Sequence, residues 1–197
     1  MTAACAIAVV ARLLCADAKP ADGETAYENP RCGLSLILPP GWTATEVDAR
    51  KEYDHPSCAI GLRPADWSRI RKKSDCEAAQ DAIYVFVYPG TLEQAAKREL
   101  LFKEGDEWSV GGRGTRDTLE RIKHPLGRAF WGLVELGCYG PGPHGHYERM
   151  AEAEIAFVES GRRVVEISSD VNLTTGYFWS DFRAIMLSLR TIPIAQP

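Results

Sequence analysis

The residues best suited to chemistry lie in one short stretch, Gly-Pro-Gly-Pro-His-Gly-His-Tyr-Glu, residues 140–148. His144 and His146 are imidazoles two residues apart, and Glu148 follows two residues later. Two imidazoles and a carboxylate form a reasonable ligand set for zinc or copper. Two prolines and three glycines between Gly140 and His146 predict a loop with no regular ladder or helix. A loop positions ligands poorly, so the competing reading is a pair of exposed loop histidines. The remaining histidines, His55 and His124, each sit beside a proline and read as exposed turn polars.

Catalytic patterns are weak. No Gly-x-Ser-x-Gly is present, and Glu159-Ser160-Gly161 reads as a hairpin turn. Gly111-Gly112-Arg113-Gly114 lacks the Lys-Ser/Thr that completes a phosphate-binding loop. Glu152 and Glu154 fall on the polar side of an alternating strand, which predicts two solvated carboxylates of ordinary acidity. Cys58 with His55, or Cys138 with His144, are Cys/His pairs in sequence only, and catalytic pairs are made in space. The reading is of a non-enzyme, with no cofactor expected beyond zinc or copper at the His loop. Asn172-Leu173-Thr174 is a glycosylation sequon, which matters only in a eukaryotic secretory pathway.

The start of the chain bears on compartment. Ala3 to Leu14 is small and apolar, and Ala16-Asp17-Ala18 has the form of a signal-peptidase site, so residues 1–18 read as a signal peptide. Arg12 interrupts the apolar run and no basic residue precedes it. Of six cysteines, Cys5 and Cys15 fall in this leader, leaving Cys32, Cys58, Cys76 and Cys138. An even number in an exported chain predicts disulfides, and four cysteines allow three connectivities. The short polar segment between Cys58 and Cys76 favours that pair, with Cys32–Cys138 by default. The expected location is exported, periplasmic or extracellular.

Composition bounds the partners. The chain has 197 residues, 45% hydrophobic and 25% charged, with a net charge of −4. This composition fits one folded domain and excludes wholesale disorder. Arg69 to Lys73 is too short for a nucleic-acid footprint. No apolar run beyond the leader reaches membrane-spanning length.

The elements that must position these residues are mostly strands. Residues 19–31 read as an irregular lead-in, 32–192 as a single domain and 193–197 as a tail. Leu34–Leu38 and Thr43–Val47 are strands on either side of Pro39-Pro40-Gly41, with Trp42 capping the core. Cys58–Leu62 is a third strand, and Ile83–Tyr88 is an apolar, aromatic strand with both faces buried. Thr91 and Gln94 have capping-box spacing, so a helix is expected from Thr91 towards Gly105. A polar, Gly-rich loop is expected over 105–117. Thr118–Lys123 and Ala129–Tyr139 are strands, and Met150–Val158 with Arg163–Ser169 is a hairpin. Phe178, Phe182, Ile185, Met186 and Leu189 form one stripe of a final helix, Thr175–Leu189. Hairpins dominate and βαβ alternation is absent. The fold class is therefore α+β, an antiparallel β-sheet flanked by helices as an α/β/α sandwich.

A strand running into Leu38-Pro39-Pro40-Gly41-Trp42 resembles the opening of the PsbP-like superfamily, which includes extrinsic photosystem II proteins and many bacterial exported proteins. The closing hairpin and the helix Phe182-Arg183-Ala184-Ile185-Met186-Leu187-Ser188-Leu189-Arg190 resemble the same family, and element order fits over roughly residues 27–192. The resemblance implies a helix-flanked antiparallel sheet that binds other proteins or assists assembly, with no shared catalytic residue. The cysteines and the Gly/Pro/His loop depart from the family pattern. The resulting expectation is an exported module that binds another protein of the cell envelope through exposed aromatics such as Trp67, Trp108 or Trp131. The alternative is a metal-binding exported protein using the 140–148 loop.

Overall fold

The computed structural model describes residues 20–49, 56–71, 81–95, 101–111, 116–142, 145–169 and 179–194. The expected leader, 1–18, lies outside them, as do His55, Cys76 and His144. Among the described residues the strands are β1 (Thr25–Asn29), β2 (Leu34–Leu38), β3 (Trp42–Val47), β4 (Cys58–Pro64), β5 (Ile83–Pro89), β6 (Leu101–Glu104), β7 (Glu107–Gly111), β8 (Arg116–His124), β9 (Gly127–Gly142), β10 (Gly145–Ser160), β11 (Arg163–Ser169) and β12 (Arg190–Thr191). The helices are α1 (Trp67–Arg71), α2 (Leu92–Ala95) and α3 (Trp179–Ser188).

The architecture is mostly antiparallel sheet with few helices. A large sheet runs in the order β3-β4-β5-β11-β10-β9-β8-β7-β6, and a small one in the order β1-β2-β12. Sequential strands are neighbours in most pairs, as expected for hairpin connections. The β10–β11 hairpin is closed by Gly161 at φ 62°, where the missing Cβ removes the left-handed penalty.

One face of the large sheet is covered by the small sheet together with α3. Leu34, Leu36 and Leu38 alternate inwards along β2. They join Ile60, Ile83, Val85, Val165, Ile167 and Ala156 of the large sheet and Phe182, Ile185, Met186 and Leu189 of the helical segment in one core. The opposite face carries a second apolar cluster. There Leu92 and Ala95 of α2 and Leu101, Trp108 and Val110 of β6–β7 meet Phe130, Ala153, Ile155 and Phe157. Strands from the end of the sheet and from its middle share this cluster, as a strongly twisted sheet allows. Gly132 makes room for it: a Cβ there would stand 2.8 Å from Leu119 Cδ2.

Trp42 is buried as expected, at the start of β3. Several local expectations are corrected. The lead-in over 19–31 contains β1, paired with β2 from Thr25↔Leu38 to Asn29↔Leu34; its alternation is weak because it lies at the edge of the small sheet. The helix opening at Thr91 has its capping box, with Thr91 N–H donating to Gln94 Oε1 at 2.9 Å and Gln94 N–H donating to Thr91 Oγ1 at 3.4 Å. It does not reach Gly105, because Leu101–Glu104 is β6. The loop expected over 105–117 holds β7, whose Trp108 and Val110 are drawn into the second cluster. The ladder also extends into the Gly/Pro/His stretch on both sides, with His146 opposite Pro141 and Gly145 opposite Gly142.

The disulfide differs from both expected pairs. Cys32 is joined to Cys58 with a Cα–Cα distance of 5.4 Å, which excludes Cys58–Cys76 and Cys32–Cys138. Cys32 stands just before β2 and Cys58 opens β4, so packing of the two sheets brings them together. Their separation of 26 residues gave no local hint of this contact.

Candidate functional site

Two titratable groups on the α3 side of the large sheet are perturbed by burial, Glu154 on β10 and His124 at the end of β8. β10 is flanked by β9 and β11, and both its faces are covered. Ala153, Ile155 and Phe157 face the second cluster, while Ala156 and Val158 face the first. Alternation puts Glu154 on the same side as Ala156 and Val158, and it is only 4% exposed. This corrects the reading of Glu154 as solvated; Glu152, two residues earlier, is exposed as expected. The signal was present in the sequence: the side that begins Glu152, Glu154 continues Ala156, Val158.

Glu154 Oε1 accepts a hydrogen bond from Trp131 Nε1–H at 3.2 Å, and its backbone N–H donates to Ser169 Oγ at 2.8 Å. Burial pushes the Glu154 carboxyl up to about 7, against the opposing pull of the Trp131 hydrogen bond and the charge on Arg183 of α3. A half-protonated carboxyl near neutral pH has the acidity of a general acid or base. Here it is enclosed between the sheet and α3, and the Trp131 indole holds one of its oxygens.

His124, at the end of β8, is half-buried rather than an exposed turn polar. Its Nε2 lies 3.0 Å from Met186 O of α3, and its Nδ1 accepts from Leu126 N–H at 3.2 Å. Burial lowers its pKa, the Met186 carbonyl raises it, and the positive charge of Arg190 lowers it; the net direction is down. Elsewhere along the helix, Trp42 Nε1–H donates to Asp181 Oδ2 at 3.1 Å, and Ser188 Oγ accepts from Ile37 N–H at 2.9 Å.

Two other charged groups are tied into the frame. Arg128 grips both oxygens of Glu93 at 2.8 and 2.9 Å and donates from Nε to Glu159 Oε2 at 2.6 Å. The Arg128 hydrogen bonds hold the Glu93 carboxyl down to about 2, and the two carboxylates raise the guanidinium further. Glu159 also accepts from the Leu92 N–H at 3.1 Å, so this triad anchors α2 to the sheet. Asp81, 3% exposed, has Arg63 Nε at 3.6 Å from Oδ1, in space that a Cβ at Gly61 would fill.

The metal ligands expected from sequence are only partly placed. His144 is outside the described residues; His146 and Glu148 stand on β10, opposite Pro141 and Tyr139. Among the described residues no three His, Cys, Asp or Glu side chains are grouped to hold a metal ion. Trp67 and Trp108 are both 2% exposed, and Trp131 is half-buried on Glu154. They form no exposed aromatic patch. No described helix is long and apolar enough to cross a membrane.

No protein-family model matches the chain, and no curated protein matches it. Among solved structures, the chain is similar to a cyanobacterial PsbP from Synechocystis sp. PCC 6803, with 9% identity over 86% of this chain and 92% of that one and a TM-score of 0.43. It is also similar to a Bacteroides thetaiotaomicron VPI-5482 crystal structure, with 11% identity over 84% of this chain and a TM-score of 0.38. The chain spans 47% of the length of that second structure.

Proposed function

We propose that this chain is a non-enzymatic exported module that binds or helps assemble another protein of the cell envelope. One observation carries the reading: the groups with the most reactive potential are engaged in holding the frame. His124 is bound to a helix carbonyl, Glu154 to Trp131 and Arg128 to two carboxylates. The Cys32–Cys58 disulfide supports an oxidising compartment. The helix-flanked sandwich is part of the proposal, with α3 as one helical layer.

The contact face is taken to include Leu187 of α3 and Ile194, large apolar side chains that are 39% and 55% exposed. The test is photo-crosslinking from these two positions in the native host, with exposed Glu104 as the control site. Protein adducts at 187 or 194 and none at 104 are the expected result. No adduct at either position sinks the reading. Intact mass without reductant, on the same material, tests export: removal of residues 1–18 and an oxidised Cys32–Cys58 pair are expected.

The alternative is zinc or copper binding at His144, His146 and Glu148. It is favoured by the ladder that continues through Gly145 and His146, which gives His146 and Glu148 a paired backbone in place of a loop. It predicts stoichiometric metal retained through purification and lost on combined His144→Ala and His146→Ala substitution. Purified chain without metal that binds none on addition rules it out.

A further inference from the structure

We propose that the β8–β9 turn is pH-sensitive: neutral His124 braces it by accepting from Leu126 N–H while donating to α3, and protonation of that imidazole breaks the Leu126 brace and frees the turn. The tautomer follows from the partners alone. Leu126 N–H can only donate, so Nδ1 must be its acceptor; Met186 O can only accept, so Nε2 must carry the hydrogen. Both bonds are satisfied only by the neutral ring. A second proton would sit on Nδ1, facing the Leu126 N–H, and two donors would meet where one hydrogen bond had been.

The surroundings favour the neutral ring. The charged group bearing on His124 is Arg190, from the strand after α3, and it opposes a second positive charge. On β8 itself, Lys123 is exposed and lies on the other side of the strand, in register with Arg128. Among the described residues no carboxylate contributes to the titration of His124, and only the Met186 carbonyl favours its charged form.

The released element is small. The charged ring still donates from Nε2 to Met186 O, and Phe182, Ile185, Met186 and Leu189 are each 1% exposed or less, so the helix stays docked. Leu126 and Ile122, by contrast, are only partly buried against the core. The turn between β8 and β9 is therefore the part free to move, and its movement uncovers those two side chains.

The experiment is NMR of the full chain from pH 8 to pH 5. It reads the His124 ring nitrogens and the hydrogen exchange of the Leu126 amide, corrected for intrinsic exchange. We expect the Nε2–H tautomer at pH 8 and a midpoint below 6.5. Protection of the Leu126 amide should fall roughly tenfold on the same midpoint, the size that one hydrogen bond implies. In His124→Gln the pH-dependent step disappears. An Nδ1–H tautomer, a midpoint at or above 6.5, or a Leu126 amide indifferent to the titration overturns the proposal. The wild-type readings decide it even where the Gln variant fails to fold.

Discussion

The two faces of the large sheet are closed in different ways. On one, α3 and the small sheet supply foreign side chains, and the seam contains Glu154, His124, Trp131 and the Trp42–Asp181 pair. On the other, β6, β7 and α2 close over the same sheet with apolar side chains, and charge appears at the rim. There Arg128 grips Glu93 and Glu159, Lys103 lies 5.3 Å from the Trp108 ring, and Arg116 lies 4.6 Å from the Phe102 ring. The contrast teaches where conditions act. A titratable group inside a seam responds to pH with little screening, whereas a rim of exposed ion pairs responds to salt and contributes little.

The largest effect should come from the α3 core. Phe182→Ala removes a ring that is 1% exposed and should cost about 3–5 kcal/mol, measured by urea unfolding. Trp108→Ala, in the second cluster, belongs to the same cost class. If either costs under about 1 kcal/mol, the site collapses freely and that face is not a packed core.

The disulfide joins the small sheet to the large one, so its loss should loosen the α3 face selectively. Reduction, or Cys32→Ser with Cys58→Ser, should cost about 3–4 kcal/mol. Hydrogen exchange should rise in β1 and β2 before it rises in β6 and β7. Equal loosening of both faces would break the comparison.

Glu154 gives the pH signature. Its folded pKa of about 7 lies above its ordinary 4.5, so the folded state holds the proton more tightly. The stability from this group is full below pH 4.5, falls between 4.5 and 7, and is gone above. The total is about 3 kcal/mol by linkage. Glu154→Gln should flatten that part of the stability profile, measured by urea unfolding at pH 5 and pH 8. A variant profile that keeps the wild-type slope would remove Glu154 as its source. His124 has the opposite sign: its lowered pKa makes stability full above pH 6.5 and lost as pH falls below.

The rim should matter least. Glu93 and Arg128 side chains are 43% and 37% exposed, so Arg128→Ala should cost about 1 kcal/mol, and 1 M salt should erode much of that difference. The Glu93 part, with its pKa lowered to about 2, is present above pH 4.5 and lost in strong acid. A salt-independent loss of several kcal/mol would move Arg128 from the rim to the core.

Much of the frame was legible because it is local. Pro39-Pro40-Gly41 is a turn between strands, Ile83–Tyr88 is a strand as expected, though only its Ile83, Val85 and Val87 face is fully buried and Tyr84 and Phe86 opposite are half-buried, and the Phe182–Leu189 stripe marked a helix face. The hairpin across Gly161 and the capping box at Thr91 were read from residues a few positions apart. The errors came from the same habit. The polar sequence of β7 reads as a loop because only Trp108 and Val110 betray its buried side. The prolines and glycines of 140–146 read as breakers, yet the tip of a long hairpin accepts Pro141 opposite His146.

By itself the sequence determined most of the central strands, where most of them turn, and which residues are apolar enough to form a core, since period and turn chemistry act over a few residues; β1, β6 and β7 were not among them. It did not determine which cysteines meet, that Glu154 is enclosed, or that His124 finds the carbonyl of Met186. Cys32 and Cys58 are 26 residues apart, and the Glu154 and His124 environments depend on α3 packing across β10 and β8. Those contacts exist only once distant elements dock, and burial, which sets the charge state of both groups, is a property of the docked arrangement alone.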